Sequence, residues 1–193
     1  TEPADIEAEL EMVRILRQTI GPEAKIRLDA NAACRVNEAL RNLARLDKFD
    51  IDFIEQPVVQ DPLAGMQEVR GRGDVAVSAN EGLWTPEDAV RQMTGRTADV
   101  YCFSPYFAGS LAQFQRLCWL AHYQGLEICR HTHGELGITA AACHHILLTL
   151  PNVVEGNQQT AHLMTDDIVT EEIPITNGPE WGVPEEPGIG VDI

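Results

Sequence analysis

Asp29, Glu55 and Glu81 stand at an even interval, 26 positions apart in each case. Each closes a short apolar run: Lys25-Ile-Arg-Leu-Asp29, Ile51-Asp-Phe-Ile-Glu55 and Val75-Ala-Val-Ser-Ala-Asn-Glu81. A helix-like stretch follows each of them. An interval of that size holds one strand, one helix and two short loops. Equal spacing therefore places three carboxylates at the C-terminal ends of successive parallel strands, the catalytic face of a β/α barrel. Three carboxylates brought together repel one another unless a cation lies between them, and a hard divalent ion suits oxygen ligands. The expectation is that all three converge on one point.

The rest of the chain keeps the same rhythm. Apolar residues at helical spacing mark a helix over about 4–20, closed by Gly21-Pro22. Strands are expected at 25–29, 51–55, 75–79, 99–103, 126–130 and 152–155. Helices are expected at about 37–47, 62–70, 85–94, 110–123 and 138–150. Thr85-Pro86 reads as an N-cap with proline at the first helical position. A further short strand is expected at 168–173 in a loop-rich tail. Six strands alternating with helices imply a parallel sheet with right-handed crossovers. An eight-stranded barrel takes about 250 residues, so this chain of 193 reads as the C-terminal part of a longer protein. The competing architecture, an open doubly wound sheet, ordinarily carries a glycine-rich first βα turn, and none is visible.

Composition limits the partners. A net charge of −16 argues against nucleic acid and anionic membrane surfaces. Much of the acid excess lies in residues 2–11 and 166–186, where it reads as solvated surface. The five cysteines include no CxxC pair and several sit in apolar runs, so buried free thiols in a reducing compartment are expected. No apolar run approaches the ~20 residues that span a bilayer. The opening Thr-Glu-Pro-Ala-Asp-Ile-Glu is acidic, unlike a signal peptide. A cytoplasmic protein is the expectation.

Extending the interval finds more polar residues at strand ends. His131 lies 50 positions after Glu81, about two repeats, and Glu155 lies 24 after His131. Between Glu81 and His131 falls the Ser104/Tyr106 region.

The segments Leu28-Asp29-Ala30-Asn31, Ile54-Glu55-Gln56-Pro57 and Ala79-Asn80-Glu81 resemble the three metal-ligand motifs of the enolase superfamily. The likeness is to its mandelate racemase and muconate lactonizing enzyme group, and Pro187-Gly-Ile-Gly-Val191 resembles that group's C-terminal segment. The resemblance runs from about residue 3 to the end. It implies an α/β fold, a TIM-type (β/α)₇β barrel of which this chain supplies six or so C-terminal βα units. The N-terminal capping domain and first strands would lie outside this chain. Residues 1–160 would form the partial barrel with its metal and catalytic face, and 161–193 a C-terminal segment packing back on the barrel or the capping domain. The resemblance further implies Mg²⁺ held by Asp29, Glu55 and Glu81, a small carboxylate substrate, and removal of the proton α to that carboxylate through an enediolate. A homo-oligomer is the expected assembly.

His131 resembles the catalytic base of the racemase-like and acid-sugar dehydratase branches, and histidine suits proton transfer near neutrality. Glu155 would donate a hydrogen bond to the substrate carboxylate if protonated, a role that calls for a raised pKa. Ser104 stands where those branches place an aspartate that orients the imidazole, so the histidine–aspartate dyad is broken here. The muconate branch wants a lysine in this strand, and none lies between Arg96 and Arg116. Tyr106, His133 and Asn31 are candidate substrate contacts, and Asn80 a candidate partner of the metal carboxylates. Trp84 reads as a pocket wall or packing residue, Cys129 as a core thiol, and His144 and His145 as packing or surface residues. Racemisation, epimerisation and dehydration share the first step. Muconate-type cycloisomerisation and a non-catalytic, metal- or ligand-binding member remain the alternatives.

Overall fold

The structure is a computed structural model, and it describes residues 6–158, 160, 163–170 and 181–193. The chain divides into two compact units, Thr1–Leu83 with Glu87–Tyr101, and Trp84–Pro86 with Cys102–Ile193.

In the first unit, α1 (Ile6–Ile20) buries Leu10 and Val13 on its apolar stripe. It stops at Gly21, whose φ of +80° suits a helix C-cap and whose N–H donates to Arg17 O at 3.1 Å. The Arg17 guanidinium then ties that end down. It donates to the carbonyls of Phe49 (2.9 Å), Gly21 (2.9 Å), Ala24 (2.6 Å) and Asp50 (2.8 Å). Those carbonyls precede β1 (Ile26–Asp29) and β2 (Ile51–Glu55). Between the two strands, α2 (Val36–Leu46) buries Ala39, Leu43 and Leu46, and a single 3-10 turn, Asp47–Phe49, leads into β2.

The strands pair in parallel. β1 meets β2 with Asp29 opposite Glu55, and β2 meets β3 (Val77–Ala79) with Glu55 opposite Ser78. α3 (Leu63–Arg72) joins β2 to β3, and α4 (Pro86–Thr94) joins β3 to β4 (Val100–Phe103). β3 pairs with β4 through Ser78–Val100 and Ala79–Tyr101. Asp99 anchors this turn of chain, accepting the Val77 N–H at 3.0 Å and Arg70 Nε at 2.8 Å. Spatial order follows chain order, β1-β2-β3-β4, without the reversal that defines a doubly wound sheet. β3 and β4 are buried along their whole length, as parallel strands covered on both faces are.

In the second unit, the end of β4 leads into the one-turn helix α5 (Pro105–Ala108) and then α6 (Leu111–Tyr123). Ser110 Oγ caps α6 by accepting the Gln113 N–H at 3.1 Å, and Phe114, Leu117, Cys118 and Ala121 form its buried face. β5 (Glu127–Arg130) follows β4 in the sheet, and His131 N donates to Phe103 O at 2.9 Å just beyond it. α7 (Gly137–Leu147) follows β5. Its first N–H donates to both carboxylate oxygens of Asp167 at 2.9 Å, an anion set against a helix N-terminus. Val169 packs on Ala140, with Ile138, Trp181 and Val191 around them. The described parts of the C-terminal segment therefore fold back onto α7.

Three expectations need correction. The strand expected at 152–155 is reduced to a single parallel bridge between Ile128 and Val153. Asn152 explains part of this, since its side chain takes the Leu126 carbonyl at 2.8 Å in place of a continuing ladder. The tail strand is not formed at 168–170, where the Asp167 carboxylate accepts the N–H groups of Ile168 and Val169 in a turn; residues 171–173 lie outside the described residues. The helix α5 was not anticipated, because proline after Ser104 reads equally well as a turn. All five cysteines are free, and four of them are buried, as expected. Among the described residues no helix is long and apolar enough to cross a membrane.

Phe114 is fully buried at the centre of the α6 face. Phe114→Ala in the full-length protein is expected to cost about 3–5 kcal/mol, read as a lowered urea midpoint.

Candidate active site

The C-terminal edge of the first unit's strands is built from acids and strained turns. Asp29 ends β1 exposed, beside its register partner Glu55, which ends β2 and is only 4% exposed. Immediately beyond, Asn31, Ala32 and Gln56 all take positive φ (45°, 58° and 39°), a region that residues with a Cβ enter at a cost. The Asp29 carboxylate holds the first of these turns by accepting the Asn31 N–H at 2.8 Å. Ala32 N donates to Gln56 O at 2.7 Å, joining the two turns.

Gln56 is wholly buried and acts as a tie. Its amide donates to Val58 O at 2.9 Å and accepts the Asn80 N–H at 3.0 Å. The loop after β3, which carries Glu81, is thereby fastened to the end of β2. Gly82 completes that loop at φ +80°, where a Cβ would stand 2.6 Å from Gln60 Cγ. Glu81 is partly buried. Burial pushes its carboxyl above the ordinary carboxylate range, a backbone N–H pulls it down, and the negative charge of Asp29 pushes it up again.

Register thus places Asp29 beside Glu55, and charge couples Asp29 to Glu81. The stronger expectation, three carboxylates around one point, is not met: among the described residues no group of three or more His, Cys, Asp or Glu side chains is arranged to hold a metal ion. The donor chemistry still fits magnesium. The three side chains offer only hard oxygen atoms, and a cation near them would relieve the repulsion that Glu81 feels from Asp29.

The second unit carries the histidines. His131 Nδ1 lies 3.1 Å from His133 Nε2, with ring centroids 4.3 Å apart. Tyr106 and Phe107 each meet His133 edge-on, at 5.9 and 5.3 Å, and Trp84 meets Phe107 at 4.6 Å. The Tyr106 phenol is pushed up by burial and by the Glu135 charge, while a hydrogen bond from Thr139 pulls it down. Ser104 is buried and spends its hydroxyl as the α5 N-cap, accepting the Tyr106 N–H at 3.3 Å. Trp84 is therefore a member of this aromatic group, whereas Asn31 belongs to the acidic edge.

Sequence reasoning missed Glu135. It is almost completely buried, accepts a charged hydrogen bond from the equally buried Arg130, and accepts the His133 N–H at 2.7 Å. The only available signal was an acid four residues after a histidine at a strand end, which is no pattern without the fold. Side chains from the next segment hold the same loop: Asn157 takes the Arg130 N–H at 2.7 Å, Gln158 that of Thr132 at 3.3 Å and Thr160 that of Gly134 at 3.0 Å. Glu155 lies exposed in the bend just before them. His144 and His145 are structural, as anticipated. His144 stacks on Trp181 at 4.2 Å and donates to Gly182 O at 2.8 Å, with burial pushing its imidazole down; His145 donates to Ile189 O at 3.1 Å. Cys129 is a buried thiol.

The family model described as enolase C-terminal domain-like matches residues 1–193. An L-Ala-D/L-Glu epimerase of Bacillus subtilis is 28% identical over 97% of this chain and 51% of its own length. The solved structure of that epimerase in a substrate-liganded complex superposes with a TM-score of 0.87 at 25% identity, covering 97% of this chain and 53% of that one. A Streptomyces coelicolor racemase solved with bound magnesium shares the fold, with a TM-score of 0.85 at 21% identity, covering 100% of this chain and 51% of that one. Other curated relatives are named as a muconate cycloisomerase and an arabinonate dehydratase. The chain spans about half the length of the curated relatives it matches.

Two outcomes follow from this geometry. Glu135→Ala strands a buried guanidinium and is expected to cost about 3–5 kcal/mol, measured by chemical denaturation. Glu81→Gln is expected to stabilise the chelator-treated protein at neutral pH. A carboxyl with a raised folded pKa is ionised there at a penalty, which fades as pH falls below the raised value and is gone below the ordinary 4.5. Melting curves of both proteins across that range should converge on acidification.

Proposed function

The chain belongs to the enolase C-terminal domain-like family, and from that premise we propose that it removes the proton α to a carboxylate, with Mg²⁺ held by Asp29, Glu55 and Glu81. The observation that carries this reading is the register pairing of Asp29 with buried Glu55, with Glu81 electrostatically coupled to Asp29. When bound, the metal would supply the positive charge that an enediolate needs. The chain's own residues do the rest. Gln56 holds the Glu55 and Glu81 turns together, so that the ligand backbone is preset before any ion arrives. His131 is the base, at the end of β5, and Glu155 is the candidate hydrogen-bond donor to the substrate carboxylate. Tyr106 is a candidate substrate contact.

The overall reaction is racemisation, epimerisation or dehydration, on a small hydroxy acid, acid sugar or dipeptide. His131 supports these over muconate-type cycloisomerisation, because β4 and its flanks offer no lysine between Arg96 and Arg116. Dipeptides enter the range through the named activity of the Bacillus subtilis relative. A reducing cytoplasm suits the five free thiols.

The test is α-proton exchange into deuterated solvent by the full-length protein with Mg²⁺, over a panel of hydroxy acids, acid sugars and dipeptides. Exchange with at least one class is expected, and His131→Asn should slow it by at least about 10²-fold. Glu55→Gln should weaken Mg²⁺ binding in calorimetry. Metal binding with no exchange on any substrate would favour the non-catalytic reading.

A further inference from the structure

A histidine that takes a proton from carbon needs one ring nitrogen held as a donor, so that the other is presented with its lone pair free. Ser104 stands where an aspartate would do this holding, and its hydroxyl accepts the Tyr106 N–H as a helix cap. The second unit offers another group. His133 Nε2 lies 3.1 Å from His131 Nδ1, hydrogen-bond distance between two ring nitrogens. Resting on the reading of His131 as base, we infer that His133 is its positioning residue: the two imidazoles form a dyad in which His131 Nδ1–H donates to His133 Nε2, leaving His131 Nε2 as the basic atom.

The surroundings of His133 are those of a residue held in place. Its backbone N–H is fixed by the buried Glu135 carboxylate at 2.7 Å, and that carboxylate is itself fixed by buried Arg130. Its ring is bracketed edge-on by Tyr106 and Phe107, and Phe107 is backed by Trp84. Gly134, at φ +77°, turns the chain immediately after His133. Two residues apart in an extended strand, side chains share a face but hold no fixed ring-to-ring geometry. Here the Glu135 contact and the aromatic bracket impose it.

The proton balance is simple. The substrate's α-proton passes to His131 Nε2, and the electron pair of the broken C–H bond stays on the substrate, delocalised into its carboxylate. His131 becomes an imidazolium whose Nδ1–H remains on His133 Nε2. A neutral imidazole stabilises that cation less than a carboxylate would. Beside His133, Glu135 and Arg130 neutralise each other as a buried ion pair, and the Tyr106 phenol is kept neutral.

The experiment compares wild type, His133→Phe and His133→Gln in the full-length protein. Phenylalanine keeps the edge-on packing and removes the acceptor; the glutamine amide returns an acceptor near the Nε2 position. Exchange by His133→Phe should fall in kcat at least about tenfold with KM nearly unchanged, and its acid limb should move, while His133→Gln recovers much of the rate. Imidazole ¹⁵N spectra should show His131 protonated at Nδ1 in wild type and His133→Gln, and a mixture of tautomers in His133→Phe. Unchanged kcat, pH limb and His131 tautomer in His133→Phe would overturn the dyad, as would a wild-type His131 protonated at Nε2. The ¹⁵N spectra decide the dyad even where no substrate is turned over, which separates its failure from failure of the proposed activity.

Discussion

Everything at the acidic edge depends on one ladder, the parallel pairing of β1 with β2 that sets Asp29 opposite Glu55. Parallel strands run the same way, so residues that end them end on the same side. Two carboxylates held side by side repel, a cost that a cation bound between them would relieve. Lys25 and Arg27 both pair with Asp52. The same ladder forces tight turns after each strand, and the positive φ values of Asn31, Ala32 and Gln56 record the strain. The buried Gln56 amide is what makes such turns tolerable. It satisfies a carbonyl at Val58 and an N–H at Asn80, one group from each of two segments.

The second unit solves a different problem. The loop after β5 must hold two histidines still without regular structure, and it does so with side chains. Glu135 and Arg130 form a fully buried ion pair, an arrangement that tends to confer geometry rather than net stability. Asn157, Gln158 and Thr160 take three successive alternate N–H groups of the 130–134 segment. In effect a row of side chains replaces the strand that was expected after residue 151. That substitution explains why the final strand is only a bridge, yet the loop is ordered.

Most of the architecture was legible because it rests on periodicity. Strands β1 to β5 and the helices between them fall within a few residues of their expected limits, since apolar spacing and the punctuation of Gly21, Pro86 and Gly125 are local signals. What failed was equally local in cause. Asn152 and Asp167 divert backbone groups with their side chains, and α5 begins at a serine–proline pair that serves turns as readily as helices. The acids were legible as a set because one repeat length recurs. Their side-chain geometry was not, since the interval specifies which strand end a carboxylate occupies and nothing of its rotamer or its hydrogen bonds.

The histidine site divides in the same way. The position of His131 at a strand end followed from the repeat, and the expectation that Ser104 stands in place of an aspartate followed from the family resemblance. That Ser104 is a helix cap, that His133 reaches His131, and that Glu135 lies buried against Arg130 were decided only in three dimensions. By itself the sequence determined the order of elements and the register of acids, because hydrophobic periodicity and repeat length are written along the chain. Tertiary structure alone decided which polar groups are buried and which meet, because a buried charge is tolerable only beside its partner, and partners are chosen by packing rather than by distance in sequence.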